Sequence, residues 1–119
     1  MKVVIGSTDY DLKLVAETVL DGKMNTLSDG KIEDGGVCAG CLERFENVIS
    51  INKKYTHQTR KQTFWHEAVH AMLDELGEEE LCEDEGFVDA MAKQIYSFIN
   101  RNKIDKIYEY LGGRNERSN

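Results

Sequence analysis

The stretch from Thr56 to Gly77 restricts the folds open to this chain more than any other feature, because it carries a long amphipathic pattern. Its apolar residues recur at spacings of three and four, which is the pattern of one buried helix face; they are Trp65, Val69, Met72, Leu73 and Leu76. Thr56 or Thr59 can cap the start of such a helix, and Gly77 is a typical residue at its end. We therefore predict one long helix that buries a single face.

The residues before this helix predict strands and loops. Residues 2–16 indicate a hairpin, since β-branched residues come first, then the turn-forming Gly6, then an alternating apolar pattern. Residues 21–36 are rich in Gly, Asp and Asn and predict loops, with at most a short strand near 31–33. Residues 47–52 alternate apolar and polar side chains as a strand does. If this strand lies at the edge of the sheet beside a metal, its backbone can align an extended peptide.

The residues after the long helix predict further helices. Apolar residues predict a second helix over 82–100, whose acidic first turn suits the positive end of the helix dipole. A third, short helix is predicted over 103–111. The fold class is then α+β, with a small, mostly antiparallel sheet packed on the long helix and the second helix. We expect one domain over residues 1–119, with a strand-rich part (1–52), a helical part (56–111) and a flexible tail (112–119).

Composition and charge exclude several classes of function. The chain has 119 residues, with 22 acidic and 15 basic side chains, and a formal net charge of −7. An acidic chain lacks the clustered Lys and Arg that neutralise phosphates, so we expect no nucleic-acid partner. No run approaches the roughly 18 apolar residues of a membrane span, and the first apolar run is too short for a signal peptide. With three cysteines, reduced thiols and a cytoplasmic location are the expectation.

The long helix contains the spacing His-Glu-x-x-His, formed by His66, Glu67 and His70. Residues four apart lie one turn apart on the same helix face, so both imidazoles can point at one metal ion. Glu67 neighbours the first histidine and can act as a general base on a metal-bound water, as in zinc hydrolases. Because catalytic zinc takes three protein ligands, the motif predicts a Zn²⁺ site that needs one more ligand. The alternative is two histidines on a polar or core-flanking helix face.

The third ligand must come from beyond Gly77, where the chain can turn back. Glu85 and Asp89 are one turn apart on the predicted second helix, so Glu85 can bind the metal while Asp89 accepts a hydrogen bond from a ligand imidazole. Cys82 can be a thiolate ligand, although a cysteine packed against the core is more common at a helix start. Three other acidic residues remain open as the third ligand: Glu80, Glu83 and Asp84.

The sequence HEAVH on one helix, followed by ExxxD on the next, resembles the gluzincin arrangement of thermolysin-like peptidases. In this compact form it resembles the small zinc metallopeptidases of the ImmA/IrrE type, which are associated with phages and mobile elements. The resemblance covers residues 47–100, and HEAVH is its specific part. It implies zinc binding by His66, His70 and Glu85, water activation by Glu67, and a supporting role for Asp89. It also implies an intracellular regulatory protein, such as a repressor, as the substrate.

Other residues extend the candidate site. Tyr96 lies on the same helical stripe as Asp89 and is a candidate hydrogen-bond donor to the oxyanion; alternatively, it packs with a solvated hydroxyl. His57 is expected to be a surface histidine near the helix start. Cys38 and Cys41 form a single CxxC, which indicates two reduced cysteines in a turn or, alternatively, a second, structural zinc.

Two functions follow from these residues. The first is a zinc metallopeptidase that hydrolyses a protein or peptide substrate, with Glu67 activating a water on Zn²⁺. The second is a non-catalytic, zinc-stabilised protein-binding module of phage or mobile-element origin, because so small a domain can need a metal for stability. The substitution Glu67→Gln separates the two functions, since it abolishes turnover and spares zinc binding.

Overall fold

The computed structural model describes residues 1–16, 32–33 and 37–113, with the backbone alone for 32–33 and 37–38. The strands are β1 (Lys2–Ile5), β2 (Thr8–Val15), β3 (Ile32–Glu33), β4 (Val37–Cys38), β5 (Gly40–Glu43) and β6 (Val48–Asn52). The helices are α1 (His57–Leu76), α2 (Glu79–Glu83), α3 (Glu85–Arg101) and α4 (Ile104–Gly112). Among the described residues the strands precede the helices, and the predicted α+β class is confirmed.

The main sheet has the strand order β1-β2-β6-β5. The β1–β2 and β5–β6 pairs are antiparallel, whereas β2 and β6 run parallel, with Asp11 opposite Val48 and Val15 opposite Asn52. The predicted hairpin over 2–16 is thus confirmed, and the sheet is mixed. The short strand expected near 31–33 is β3, which pairs with β4 in a separate two-stranded sheet.

The strand predicted over 47–52 is β6, and it lies inside the main sheet. Its neighbours β2 and β5 both pair with its backbone. Its five residues are all buried, in keeping with a central strand. The expectation that this strand lies at the sheet edge and aligns a peptide is therefore wrong, because its backbone groups already bind two other strands.

Strand β5 was not predicted from the sequence, although three of its four residues are buried. It packs closely on α1 through Gly40. A Cβ atom at Gly40 would lie 2.6 Å from Cγ2 of Thr63 and 3.1 Å from the carbonyl oxygen of Ser50. The glycine, which weakened the strand pattern in the sequence, is what allows this strand and α1 to approach each other.

Helix α1 packs on the sheet with one side and on α3 with the other. The sheet side contains a cluster of buried apolar residues: Ile5, Tyr10, Leu42, Ile49, Ile51, Ala68 and Ala71. The α3 side contains a smaller cluster: Val69, Leu73, Cys82, Val88 and Ala92. Both clusters also contact the partly buried Trp65. The predicted amphipathic helix therefore buries two faces rather than one.

Both ends of α1 lie where the sequence predicts them. Thr56 is the N-cap, and its hydroxyl accepts a hydrogen bond from the backbone N–H of Thr59. Gly77 ends the helix in the left-handed conformation, with φ of 75°, which favours glycine. His57, the first residue of the helix, is exposed as expected.

The second predicted helix, over 82–100, is wrong at its start. The structure places Cys82 in the short helix α2 and begins α3 at Glu85. The break occurs at Asp84, whose backbone is extended and whose carboxylate accepts a hydrogen bond from the N–H of Phe87. Asp84 is therefore an N-cap, and this role stops α2 from continuing into α3.

Helix α4 agrees with the third predicted helix, over 103–111. It extends to Gly112, which the sequence analysis had assigned to the flexible tail. The remainder of that predicted tail, 114–119, lies outside the described residues, as do most of the predicted loops over 21–36. Within the described part of the chain, no helix is both long and apolar enough to cross a membrane.

The end of α1 is tied to the first hairpin by Glu75. Its carboxylate accepts hydrogen bonds from the hydroxyl of Thr8, at 2.6 Å, and from the backbone N–H of Ser7, at 2.9 Å. These two bonds favour the charged form and hold the pKa of Glu75 below its ordinary value. On the sheet side nearby, burial raises the pKa of Tyr10, and the charge of Glu75 adds to that shift.

Candidate metal centre

The two histidines of the motif lie in the middle of α1 on the side that faces α3. Their side chains are almost fully buried, and their ring centroids are 5.0 Å apart. This separation follows from the spacing of four residues, which stacks His70 one helical turn beyond His66. Buried imidazoles need polar partners, and α3 supplies them.

Glu85 brings a carboxylate to both rings. Its Oε1 atom lies 3.0 Å from Nε2 of His66, and its Oε2 atom lies 3.2 Å from Nε2 of His70. The ligand-type atoms of the three residues lie within 4.8 Å of one another. His66, His70 and Glu85 therefore form a group that could hold a metal ion.

The surroundings of His70 fit a metal better than they fit a hydrogen bond. Its Nε2 atom is buried and forms no hydrogen bond with any residue that the structure describes. The nearby Glu85 oxygen lies within ion-pair distance. A buried nitrogen without a hydrogen bond is costly unless a ligand occupies its lone pair. Two imidazoles and a carboxylate are also a typical donor set for Zn²⁺.

The other acidic residues considered as the third ligand are not part of the group formed by the two histidines and Glu85. Asp84 uses its carboxylate as the N-cap of α3. Glu80 and Glu83 are exposed on α2. Glu83 lines a cavity with His70 and Glu85, but neither Glu80 nor Glu83 belongs to the one group among the described residues that could hold a metal ion. Of the four acidic residues left open by the sequence, only Glu85 belongs to that group.

Asp89 lies one turn after Glu85 on α3 and faces the first histidine. Its Oδ1 atom is 3.7 Å from Nδ1 of His66, and its Oδ2 atom is 2.9 Å from the ammonium of Lys93. Asp89 is thus next to the ring nitrogen that points away from Glu85, which is the position expected of a residue that orients a ligand. Lys93 was not singled out from the sequence, although its spacing of four from Asp89 suggests an ion pair.

Cys82 contacts the second histidine, and Arg44 contacts Cys82. The sulfur of Cys82 lies 3.6 Å from Nδ1 of His70, and Arg44 donates a hydrogen bond to that sulfur at 3.3 Å. The sequence analysis weighed Cys82 as a metal ligand or a core residue. The structure places its sulfur beside the ring nitrogen that faces away from Glu85. No feature of the sequence indicated that Arg44 would contact this sulfur.

A cavity of about 130 Å³ opens beside the first histidine and Glu67. Glu67 itself is 1% exposed. The other lining residues come from β5 and the residue before it, from α1 and from α3; they are Ala39, Gly40, Thr59, Gln62, Thr63, Asp89, Ala92, Lys93 and Tyr96. The predicted base and Tyr96, the candidate oxyanion donor, therefore line one cavity. The three polar residues of α1 precede His66 by seven, four and three positions, so helical spacing could have found them.

The CxxC pair was expected to lie in a turn, but both cysteines lie in strands. Cys38 ends β4, and Cys41 is fully buried in β5. The side chain of Cys38 is outside the described residues. The second, structural zinc suggested for the pair therefore stays a prediction. Buried in the sheet, Cys41 packs as a small apolar residue.

Comparisons with known proteins add no identification to this geometry. No model of a protein family matches the chain, and no curated protein or solved structure matches it either.

Proposed function

We propose that this chain is a zinc metallopeptidase of the ImmA/IrrE type that hydrolyses a peptide bond in a protein substrate within the cytoplasm. The observation that carries the proposal is the convergence of His66, His70 and Glu85, together with the buried Glu67, which lines a cavity with His66. As in the small phage and mobile-element peptidases that its motifs resemble, the proposed substrate is a repressor-type regulator.

In this proposal His66, His70 and Glu85 would hold a zinc ion. When bound, it supplies Lewis acidity, which polarises the scissile carbonyl and lowers the pKa of a water molecule. Burial of both rings limits the conformations open to them, so little ordering is needed when the ion binds.

Glu67 has the position required of a proton carrier. It is adjacent to His66 in the sequence, and both residues line the same cavity. A Glu67 oxygen accepts the proton of the attacking water and then passes it to the amine nitrogen as the C–N bond breaks. Tyr96 lines that cavity as well, so its hydroxyl can donate a hydrogen bond to the substrate oxygen.

The cavity supports a peptide substrate because of its size and lining. A volume of about 130 Å³ has room for roughly four water-sized groups. One amino-acid side chain of moderate length occupies such a space. Hydroxyl and amide groups line it beside two alanines and a glycine, so one substrate side chain can be held there next to the scissile bond.

The test is hydrolysis of a mixture of quenched fluorogenic peptides of random sequence by the zinc-loaded protein. Glu67→Gln should lower kcat by about 10²- to 10⁴-fold because it removes the general base. It should leave zinc affinity unchanged, because Glu67 is not a ligand in the proposed site. The matched control is Glu75→Gln, which changes a carboxylate on the same helix that contacts the hairpin. Zinc-dependent hydrolysis that survives Glu67→Gln would refute the assigned mechanism.

One observation favours a second function, a non-catalytic module that a metal stabilises. The apolar cluster on the α3 side of α1 has fewer buried residues than the cluster on the sheet side, and its larger members, Trp65, Phe87 and Ile95, are only partly buried, so it stabilises its contact less. A metal bound by both helices would then carry part of the stability of this contact. In that case the zinc-loaded protein would hydrolyse no peptide of the mixture, and Glu67→Gln would leave partner binding intact.

A further inference from the structure

We propose that Cys82 is a positioning residue for the metal centre: its thiol holds His70 in the tautomer that leaves Nε2 available to a metal. This inference rests on the metal centre of the proposed function and is independent of catalysis. This role of Cys82 could not be predicted from its position before α3 or from the chemistry of a cysteine.

The sulfur of Cys82 contacts His70 and Arg44, and the residue is only 4% exposed. The sulfur lies 3.6 Å from Nδ1 of His70 and donates a hydrogen bond to the backbone carbonyl oxygen of His70 at 3.4 Å. Arg44 donates a hydrogen bond from Nη2 to the same sulfur at 3.3 Å. One thiol therefore contacts both the ring and the backbone of the proposed ligand.

Counting hydrogens assigns the tautomer. A thiol has one hydrogen, and in the structure the Cys82 thiol donates it to the carbonyl oxygen of His70, which can only accept. The sulfur then acts as an acceptor toward its other neighbours, and Arg44 is always a donor. The contact between this sulfur and Nδ1 of His70 is favourable only if Nδ1 carries a hydrogen. A neutral imidazole has one N–H, so Nε2 keeps its lone pair for the metal.

The same geometry excludes Cys82 as a metal ligand. Its sulfur faces Nδ1, whereas Glu85 faces Nε2 at 3.2 Å. The two ring nitrogens point in different directions, so the thiol and the carboxylate lie on different sides of the imidazole. The two histidines are therefore supported differently, since Nδ1 of His66 faces the carboxylate of Asp89.

Arg44 connects this arrangement to the sheet. It follows β5 directly, and its Nε atom lies 3.8 Å from the Asp74 carboxylate on α1. The guanidinium thus contacts both α1 and the thiol of α2. Because a guanidinium presents several N–H groups in a fixed plane, it limits where the sulfur can move relative to His70.

The first experiment determines the tautomer of His70 in the native, metal-free protein at pH 8 by long-range ¹H–¹⁵N NMR of the histidine rings. The exposed His57 is the internal reference. We expect His70 to carry its hydrogen on Nδ1. A hydrogen on Nε2 would overturn the proposal, and this measurement needs no variant that could fail to fold.

The second experiment measures zinc affinity by competition with a chelator. Loss of a residue that orients a ligand weakens metal binding by about 10- to 100-fold, so we expect this loss for Cys82→Ala. Cys82→Ser should recover part of the affinity, because a hydroxyl also donates and accepts hydrogen bonds. Cys41→Ala, which removes the same atom from the buried Cys41 in β5, should bind zinc like the native protein.

Two results would overturn the role of Cys82: native zinc affinity in a folded Cys82→Ala protein, or a serine variant that binds no better than the alanine variant. A further outcome separates this inference from the proposed function. If the native protein binds zinc but hydrolyses no peptide, while His70 shows the Nδ1–H tautomer, the peptidase function fails and the positioning role is supported.

Discussion

The two sides of helix α1 bury different kinds of residue. Toward the sheet it packs through a cluster that includes the fully buried Leu42 and Ile49. Toward α3 it presents a smaller apolar cluster together with His66, Glu67 and His70, which are almost fully buried. Apolar burial stabilises without a ligand, whereas buried polar groups cost free energy unless they are satisfied. The sheet side therefore needs no ligand for its stability, whereas the α3 side contains the group that could hold a metal ion.

The largest effect is expected from a cavity on the sheet side. Ile49→Ala should lower the free energy of unfolding by about 2–5 kcal/mol, because it removes a fully buried side chain from the larger cluster. Urea unfolding with and without zinc measures this loss of stability. Since Ile49 lies outside the metal centre, the loss should be equal in both conditions; a loss that zinc reduces would contradict the separation of the two sides.

Zinc itself should stabilise the α3 side. Zinc at a hundred times its Kd should raise the free energy of unfolding by about 2.7 kcal/mol if it binds only the folded chain. Thermal unfolding at increasing zinc concentration measures this gain. The His70→Ala variant is the control, because it lacks one proposed ligand. A gain of equal size in that variant would place the stabilising zinc elsewhere in the protein.

The N-caps of α1 and α3 can be compared to test whether the start of α3 orients a metal ligand. Thr56→Ala and Asp84→Ala each remove one hydrogen bond at a helix start and should each cost about 1 kcal/mol. Only Asp84→Ala should also weaken zinc binding, because Asp84 directly precedes Glu85. Chemical unfolding and chelator competition on both variants provide the two measurements. Equal zinc affinities would show that the cap does not orient Glu85.

The smallest effect concerns the pH dependence of the link between α1 and the hairpin. The folded-state pKa of Glu75 is held below its ordinary value of 4.5, so Glu75 stabilises the fold above that pH. This stabilisation is lost as the pH falls through the lowered folded-state pKa. The native protein should therefore exceed Glu75→Gln in stability at neutral pH, and the difference should shrink below about pH 4.5.

Urea unfolding across this pH range, in the absence of zinc, measures the difference. Glu78→Gln is the matched control, since Glu78 makes no side-chain cap hydrogen bond at the start of α2. A difference that stays constant down to acidic pH would refute the assigned role of the Thr8 and Ser7 hydrogen bonds.

Features fixed by local spacing were predictable from the sequence. Thr56 and Gly77 mark the two ends of α1 because capping preferences act within a few residues. The spacing of four residues placed His66 and His70 on one face for the same reason. Glu85 was the preferred third ligand from its spacing with Asp89, and the structure brings both residues to the histidines.

Features that depend on distant contacts were not predictable. Strand β5 is buried because it pairs with β6 and packs on α1, and its glycine hides this in the sequence. The parallel pairing of β2 with β6 likewise joins two segments that no local pattern connects. Arg44 reaches Cys82 only in the folded chain. Asp84 lies between these two cases: its side chain suits an N-cap, but an acidic residue can also lie within a helix, so the sequence did not decide where α3 begins.

The parallel pairing of β2 and β6 also has a consequence for the order of folding. Asp11 must find Val48 across a long stretch of chain, whereas His66 and Glu85 are only 19 residues apart. Closing a short loop costs less entropy, so α1 and α3 should meet before the central strands align. Zinc present from the start of refolding should then accelerate the early phase seen through the fluorescence of Trp65, while the later alignment of the sheet keeps its rate.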